Sequence, residues 1–144
     1  MNMKAISLLV LLAILYTNNT IGQLSDIPFH EFINFAPIGN SSEFVVNTED
    51  EFSVKFNCAS PNFDFSKYTI LAIKGTMKGH DQAQIDFQIK RDDISKKFLI
   101  YATIYGGKVC NCRVMKPGYA KVVYIDKVPN DYTIKFNILE NYDN

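Results

Sequence analysis

Between Gln84 and Lys90 the chain alternates without a break: Ile85, Phe87 and Ile89 are apolar, while Gln84, Asp86, Gln88 and Lys90 are polar. A period of two puts successive side chains on opposite faces of an extended backbone, so this segment reads as a strand with one dry and one wet face. A dry face needs a second layer to cover it, which restricts the chain to layered or barrel-like β architectures. The rest of the chain after Pro61 supplies further strands. Tyr68 to Lys74 is rich in β-branched and aliphatic residues, and Phe98 to Tyr105, Val109 to Met115, Tyr119 to Ile125 and Tyr132 to Leu139 follow. They are separated by Gly75 to His80, the charged link Arg91 to Lys97, Gly106-Gly107, Lys116-Pro117-Gly118 and Val128-Pro129-Asn130-Asp131. Strands at intervals of roughly 10 to 15 residues, joined by glycine and proline turns, predict a mainly β fold of the α+β kind. The expected architecture is an antiparallel β-sandwich or partly open barrel with one short amphipathic helix.

Helical signals occur once in the chain beyond the N-terminal apolar run. Thr48-Glu49-Asp50-Glu51 has the layout of a capping box, in which the Thr48 hydroxyl accepts the Glu51 amide and the Glu51 carboxylate reaches back to the Thr48 amide. Three acids in the first turn suit the positive end of the helix dipole. Phe52 and Phe56, four apart, fall on one face and are expected to be buried together, with the Cys58-Ala59-Ser60-Pro61 segment ending the helix. Glu43 to Asn47 reads as a short strand before it. Leu24 to Gly39 reads as an edge strand or packed arm around Pro28 and Pro37, closed by a Gly39-Asn40-Ser41-Ser42 turn. The candidate core is Phe44, Phe52, Phe56, Phe65, Ile70, Ile85, Phe87, Leu99, Tyr101, Val123, Ile134 and Phe136, each contributing about 1.5–3 kcal/mol if fully buried.

The first 22 residues have the layout of a secretory signal: Met1-Asn2-Met3-Lys4, an apolar run from Ala5 to Tyr16, and a polar flank with small residues at Thr20 and Gly22. The apolar run is shorter than the roughly 20 residues that span a bilayer, so cleavage after Gly22 is expected rather than anchoring. Residues 23–144 form a single expected domain of ordinary size, exported from the cytoplasm. Residues 1–22 hold one lysine and no acid, leaving 14 basic against 15 acidic side chains in the remainder. That balance, without a basic block, argues against nucleic acid as a partner.

Three cysteines, Cys58, Cys110 and Cys112, then face an oxidising compartment. A bridge from Cys58 to either Cys110 or Cys112 is the simplest pairing. Cys110 and Cys112 on one strand stand about 6.6 Å apart at their Cα atoms, the loose end of disulfide geometry. Cys-Asn-Cys lacks the further ligands a metal needs, and His30 and His80 lie far off in sequence, so no metal or other cofactor is expected. Catalysis is not expected either. His30 sits among aromatics and reads as a packed histidine, His80 lies at a hairpin tip, and neither is set beside a nucleophile. Asp92-Asp93 and Glu49-Asp50-Glu51 are accounted for by a charged turn and a helix cap. Gly106-Gly107-Lys108 lacks the spacing and following helix of a phosphate loop.

With the segments placed, Phe63-Asp64-Phe65-Ser66-Lys67-Tyr68-Thr69-Ile70-Leu71-Ala72-Ile73-Lys74-Gly75 resembles the opening strand of the PrcB-like domain, a C-terminal, protease-complex-associated module of secreted and lipoprotein-type bacterial proteins. Val45 to Phe52, Lys116 to Val123 and Ile125 to Pro129 resemble that family's upstream helix, late strand and ending, so the likeness runs through nearly all of residues 23–144. A signal ending in Gly-Gln also resembles those of Bacteroidota, which implies that the chain is secreted or periplasmic. The resemblance implies a β-rich, non-catalytic module that associates with, or stabilises, a secreted peptidase. The family's Thr-Gly-Gly-Tyr-like loop reads here Thr76-Met77-Lys78-Gly79-His80-Asp81-Gln82-Ala83, without the paired glycines or the tyrosine. Loops on a rigid sheet are the usual place for contacts. The expected binding residues are therefore Met77, Lys78 and His80 in one hairpin tip and Gly106, Gly107 and Lys108 in another. The competing expectation is a structural component of a larger assembly, whose edge strand pairs with a neighbour, and a thiol or metal site at Cys110 and Cys112 is the third.

Overall fold

The computed structural model describes residues 24–59, 61–76, 83–106 and 118–142. After two short edge segments, β1 (Ser25–Asp26) and β2 (His30–Glu31), come β3 (Glu43–Val46), the helix α1 (Glu49–Phe56), and five long strands. These are β4 (Tyr68–Thr76), β5 (Gln84–Asp92), β6 (Lys97–Gly106), β7 (Gly118–Asp126) and β8 (Thr133–Tyr142). They form two four-stranded sheets, one ordered β1-β5-β6-β8 and the other β2-β7-β4-β3. The result is a sandwich-like α+β fold, and the sheets do not close into a barrel.

Each long strand reverses direction relative to the one before it. Because β7 crosses into the second sheet, β8 returns to the first two reversals after β6 and lies parallel to it, from Lys97 beside Thr133 to Gly106 beside Tyr142. All other pairings are antiparallel. One parallel pair in an otherwise antiparallel design thus follows from strand count and sheet switching, without any helical crossover.

Two apolar interiors result. Between the sheets, Leu71, Ile73, Val123 and Ile125 meet Phe87, Ile89, Phe98, Ile100 and Ile104. On the far face of the second sheet, Ile70, Ala72 and Val122 are covered by Phe52 and Phe56 of α1, with Phe44 and Val46 of β3. Strands β4 and β7 are dry on both faces, which explains why Thr69 to Ile73 is an unbroken buried run rather than an alternating one. The second interior is largely aromatic. Phe52 stacks on Phe56 at 4.5 Å, Phe32 meets Phe35 at 4.8 Å and Phe63 at 5.3 Å, and Phe63 meets Tyr124 at 5.4 Å. Ring pairs of this kind add about 0.5–1.5 kcal/mol each to simple burial, and here they fasten the arm, α1 and the 63–65 segment to one sheet.

The cap of α1 forms with one difference from expectation. The Thr48 hydroxyl accepts from the Glu51 amide at 3.2 Å, but the Glu51 carboxylate accepts from the Asn47 amide at 2.6 Å, one residue earlier than the standard box. The helix also ends before Pro61. Asn57 takes the left-handed conformation (φ 52°, ψ 40°) and stops it there, a geometry asparagine tolerates better than most residues.

Other expectations shift by one strand face or a few residues. On β6 the buried set is Phe98, Ile100, Ala102 and Ile104, so Tyr101 points outward and Leu99 is only half-buried; the core assignment of these two had the wrong parity. Phe65, Ile85, Ile134 and Phe136 pack at the margins, while Phe44, Phe52, Phe56, Ile70, Phe87 and Val123 are buried. Gly75, expected in a turn, continues β4. His30 is not a core residue: β2 lies at a sheet edge, and the exposed imidazole stacks on the Tyr124 ring at 5.0 Å. The expected strand Val109 to Met115 lies outside the described residues.

Candidate binding end of the sandwich

The register brings several strand ends to one end of the molecule. Thr76 at the end of β4 pairs with Gly118 at the start of β7. In the other sheet, Gln84 at the start of β5 pairs with Tyr105 near the end of β6, whose last residue, Gly106, lies beside Tyr142 of β8. The two sheets touch here through Tyr119, whose phenol donates to Glu140 Oε1 at 3.3 Å. The described residues flanking 77–82 and 107–117 therefore all lie at this end.

Close packing at the Tyr119 phenol depends on Gly75. A Cβ at that position would lie 2.5 Å from the Tyr119 hydroxyl oxygen and 2.6 Å from Cζ, so the absence of a side chain makes room for the ring. Over the same strand ends lies a groove of about 550 Å³, lined among others by Gly39, Asn40, Ser42, Thr76, Gly118 and Ala120. This volume lies within the range of about 300–1,000 Å³ typical of ligand clefts. Its wall is the Gly39 to Ser42 turn, where Gly39 has φ 91° and its carbonyl accepts from Lys74 Nζ at 2.6 Å. The Lys74 amide donates to Ser42 O at 3.0 Å, which ties that turn to β4, and the ammonium lies 5.7 Å from the Phe44 ring centre. Small residues and short polar side chains leave the floor open to close approach by an extended segment. The lining also includes Ser41 and Tyr119, so the groove offers several hydrogen-bond donors and acceptors to whatever lies in it.

Of the six expected contact residues, only Gly106 is described. It is the buried last residue of β6 rather than part of a loop tip. Met77, Lys78, His80, Gly107 and Lys108 lie outside the described residues, though the strand ends that flank them are those gathered here. Cys58 is exposed just beyond α1 and forms no disulfide with a described residue, and Cys110 and Cys112 lie outside them. Among the described residues, no three His, Cys, Asp or Glu side chains are grouped as a metal would require. Sequence reasoning read Gly39 to Ser42 and Gly118 as punctuation. It missed that they share one groove with Lys74 and Thr76, because that proximity exists only through the β4–β7 register.

The opposite end is differently built. Tyr132 accepts from Arg91 at 3.2 Å and from Lys96 at 3.5 Å, donates to Asp93, and carries both cations near its ring, at 5.1 and 4.8 Å from the centre. Hydrogen bonds from Tyr132 and then Arg91 hold the Asp93 carboxyl below its ordinary range, while contact with Tyr132 raises Lys96. Asp92 is likewise lowered, chiefly by the Ser95 hydroxyl, and its carboxylate also accepts the Ile94 and Ser95 amides. A nearby cavity of about 230 Å³ includes His30, Arg91 and Lys127, yet the Lys127 ammonium is engaged by the Asn47 and Phe65 carbonyls, both at 2.9 Å. The charged groups at this end therefore bind one another and the backbone.

Comparison of the chain with protein-family models, with curated proteins and with solved structures finds no match. Among the described residues, no helix is long and apolar enough to cross a membrane.

Proposed function

We propose that this chain is an exported, non-catalytic protein-binding domain of the PrcB-like kind, whose contacts with a secreted peptidase are made at the end of the sandwich holding the groove. The convergence of Thr76, Gln84, Gly106 and Gly118 carries this reading, since it makes one platform out of strand ends that flank two separate segments. Support for export comes from the sequence of residues 1–22, and N-terminal sequencing of the protein recovered from its host should begin at Gln23. The decisive test is capture from the native secretome on the processed chain, followed by assay of any recovered peptidase with and without pure domain. Retention of a peptidase, and its loss when Lys78, His80 and Lys108 are replaced by alanine, is the expected outcome. Recovery of no peptidase, or unaltered retention by that variant, would overturn the reading.

A second reading, a structural component of a secreted or cell-surface assembly, is favoured by a different feature. Strand β8 is an edge strand ten residues long with no proline in it, and Leu139 on it is 62% exposed. A proline-free edge of this length can serve as a template for pairing with another chain. Light scattering on a size-exclusion column separates the two readings: a strictly monomeric species at high concentration sinks the assembly role.

A further inference from the structure

The outward face of the β1-β5-β6-β8 sheet carries a repeat of neutral polar side chains. The register aligns Gln88, Tyr101 and Asn137 in one row across β5, β6 and β8. Asp86, Thr103 and Leu139 form the next, and Gln84, Tyr105 and Asn141 the third. An amide–phenol–amide row thus recurs after four residues of β6, about 13 Å along the strand. Tyr101 and Tyr105 are 37% and 39% exposed at the middle of this face, where neither belongs to an apolar interior.

A single exposed tyrosine on a strand needs no explanation, because aromatic residues favour strands. The amides are different. Asparagine is disfavoured in strands, and yet it stands beside the tyrosine in both rows. Among the described residues, none of these four amides or two phenols has a hydrogen-bond partner through its side chain. Six neutral polar groups are therefore set out in a regular, flat array and left available.

We propose that this face binds an uncharged polysaccharide. Each phenol ring offers an apolar plane to the C–H side of a sugar ring, and each flanking amide offers both donors and an acceptor to neighbouring hydroxyls. The rows themselves point to the class. They contain no lysine or arginine, and their one charge, Asp86, repels an anionic polymer; the adjoining row of Lys90, Leu99 and Lys135 lies outside the array, and its Lys90 faces Asp26 at 3.9 Å. Two equivalent rows along one direction match a ligand that itself repeats along its axis. The Gln84, Tyr105 and Asn141 row borders the groove end, whereas the Gln88, Tyr101 and Asn137 row stands about 13 Å along the strand from it, so the Tyr101 and Gln88 variants test this proposal apart from that end.

Affinity electrophoresis of the processed chain through gels containing soluble starch, laminarin, xyloglucan or galactomannan, with anionic alginate as contrast, tests the proposal. At least one neutral polymer should retard the protein, equally at low and high salt. Tyr101→Ala and Tyr105→Ala should each weaken retardation about tenfold, Tyr101→Phe should preserve it, and Gln88→Leu, which keeps the rings, should weaken it. Melting curves establish that each variant is folded; if an alanine variant is not, Gln88→Leu and Asn137→Leu carry the test alone. Retardation by none of the neutral polymers, retardation by alginate only, or full binding by folded variants would each overturn it.

Discussion

Thr69 is the one buried polar residue among those described, and its hydroxyl is fully used. It donates to Asn47 Oδ1 at 2.8 Å and accepts the Val128 amide at 3.1 Å, joining the segment before α1 to the turn after β7. Valine has the same shape without these bonds, so Thr69→Val should leave the Val128 amide unpaired and lower stability by about 1–3 kcal/mol, read from urea unfolding. Gly75 is the complementary case, where what matters is an absent side chain. Gly75→Ala should cost about 1–3 kcal/mol by forcing the Tyr119 ring aside. A double-mutant cycle with Tyr119→Leu should recover much of that loss, because the two positions share one space. Additive effects would show that the ring moves freely and that the glycine is there for some other reason.

At the scale of the element, β6 shows how much rests on a single step of register. Its alternation is strong, but both faces carry large side chains, Phe98, Ile100 and Ile104 on one and Leu99, Tyr101 and Tyr105 on the other. Period alone does not say which face is dry. Pairing decides it: β5 has an unambiguous dry face, and Phe87 lies opposite Ala102 while Ile89 lies opposite Ile100. Ile100→Ala should then cost about 2–5 kcal/mol, against about 0.5 kcal/mol or less for Tyr101→Ala at an outward position. Equal losses in chemical denaturation would contradict the observed parity. The helix was more legible, since its cap and its two phenylalanines are local signals. Its end was not, because Pro61 is a louder mark than Asn57 although the asparagine comes first.

For the molecule as a whole, the groups displaced from their ordinary titration gather at the end away from the groove. Asp64, Asp92 and Asp93 all titrate below the ordinary 3.8, through Ser66, Ser95 and Tyr132 respectively as the leading causes. Lowered carboxylates stabilise the fold fully above their unfolded value, and that contribution is lost as pH falls through the lower folded value. Lys96, raised above its ordinary 10.5, acts in the opposite sense: its contribution holds below 10.5 and disappears as pH rises through the folded value. Melting temperature should therefore fall on acidification below about pH 4. Asp93→Asn should flatten part of that fall while leaving the neutral plateau lower. An identical acid limb in the variant would remove Asp93 from this account. Asp64, Asp93 and Lys96 are exposed and Asp92 is half-buried, so the effects should also shrink with added salt.

What the chain's sequence determined by itself was everything encoded in short-range periodicity and local chemistry: strand identity for β4 to β8, the capped helix with Phe52 and Phe56 inward, and the wet face of β5. Tertiary structure alone decided which face of β6 is buried, that β8 runs parallel to β6, and that Gly39 to Ser42 faces Thr76 and Gly118 across a groove. The physical reason is separation along the chain. Alternation and capping act over a few residues, whereas register and sheet membership bring together groups some 30 to 80 positions apart, from Lys74 with Gly39 to Lys127 with Asn47. No local pattern contains those distances; only the packing of two sheets and an aromatic layer selects them.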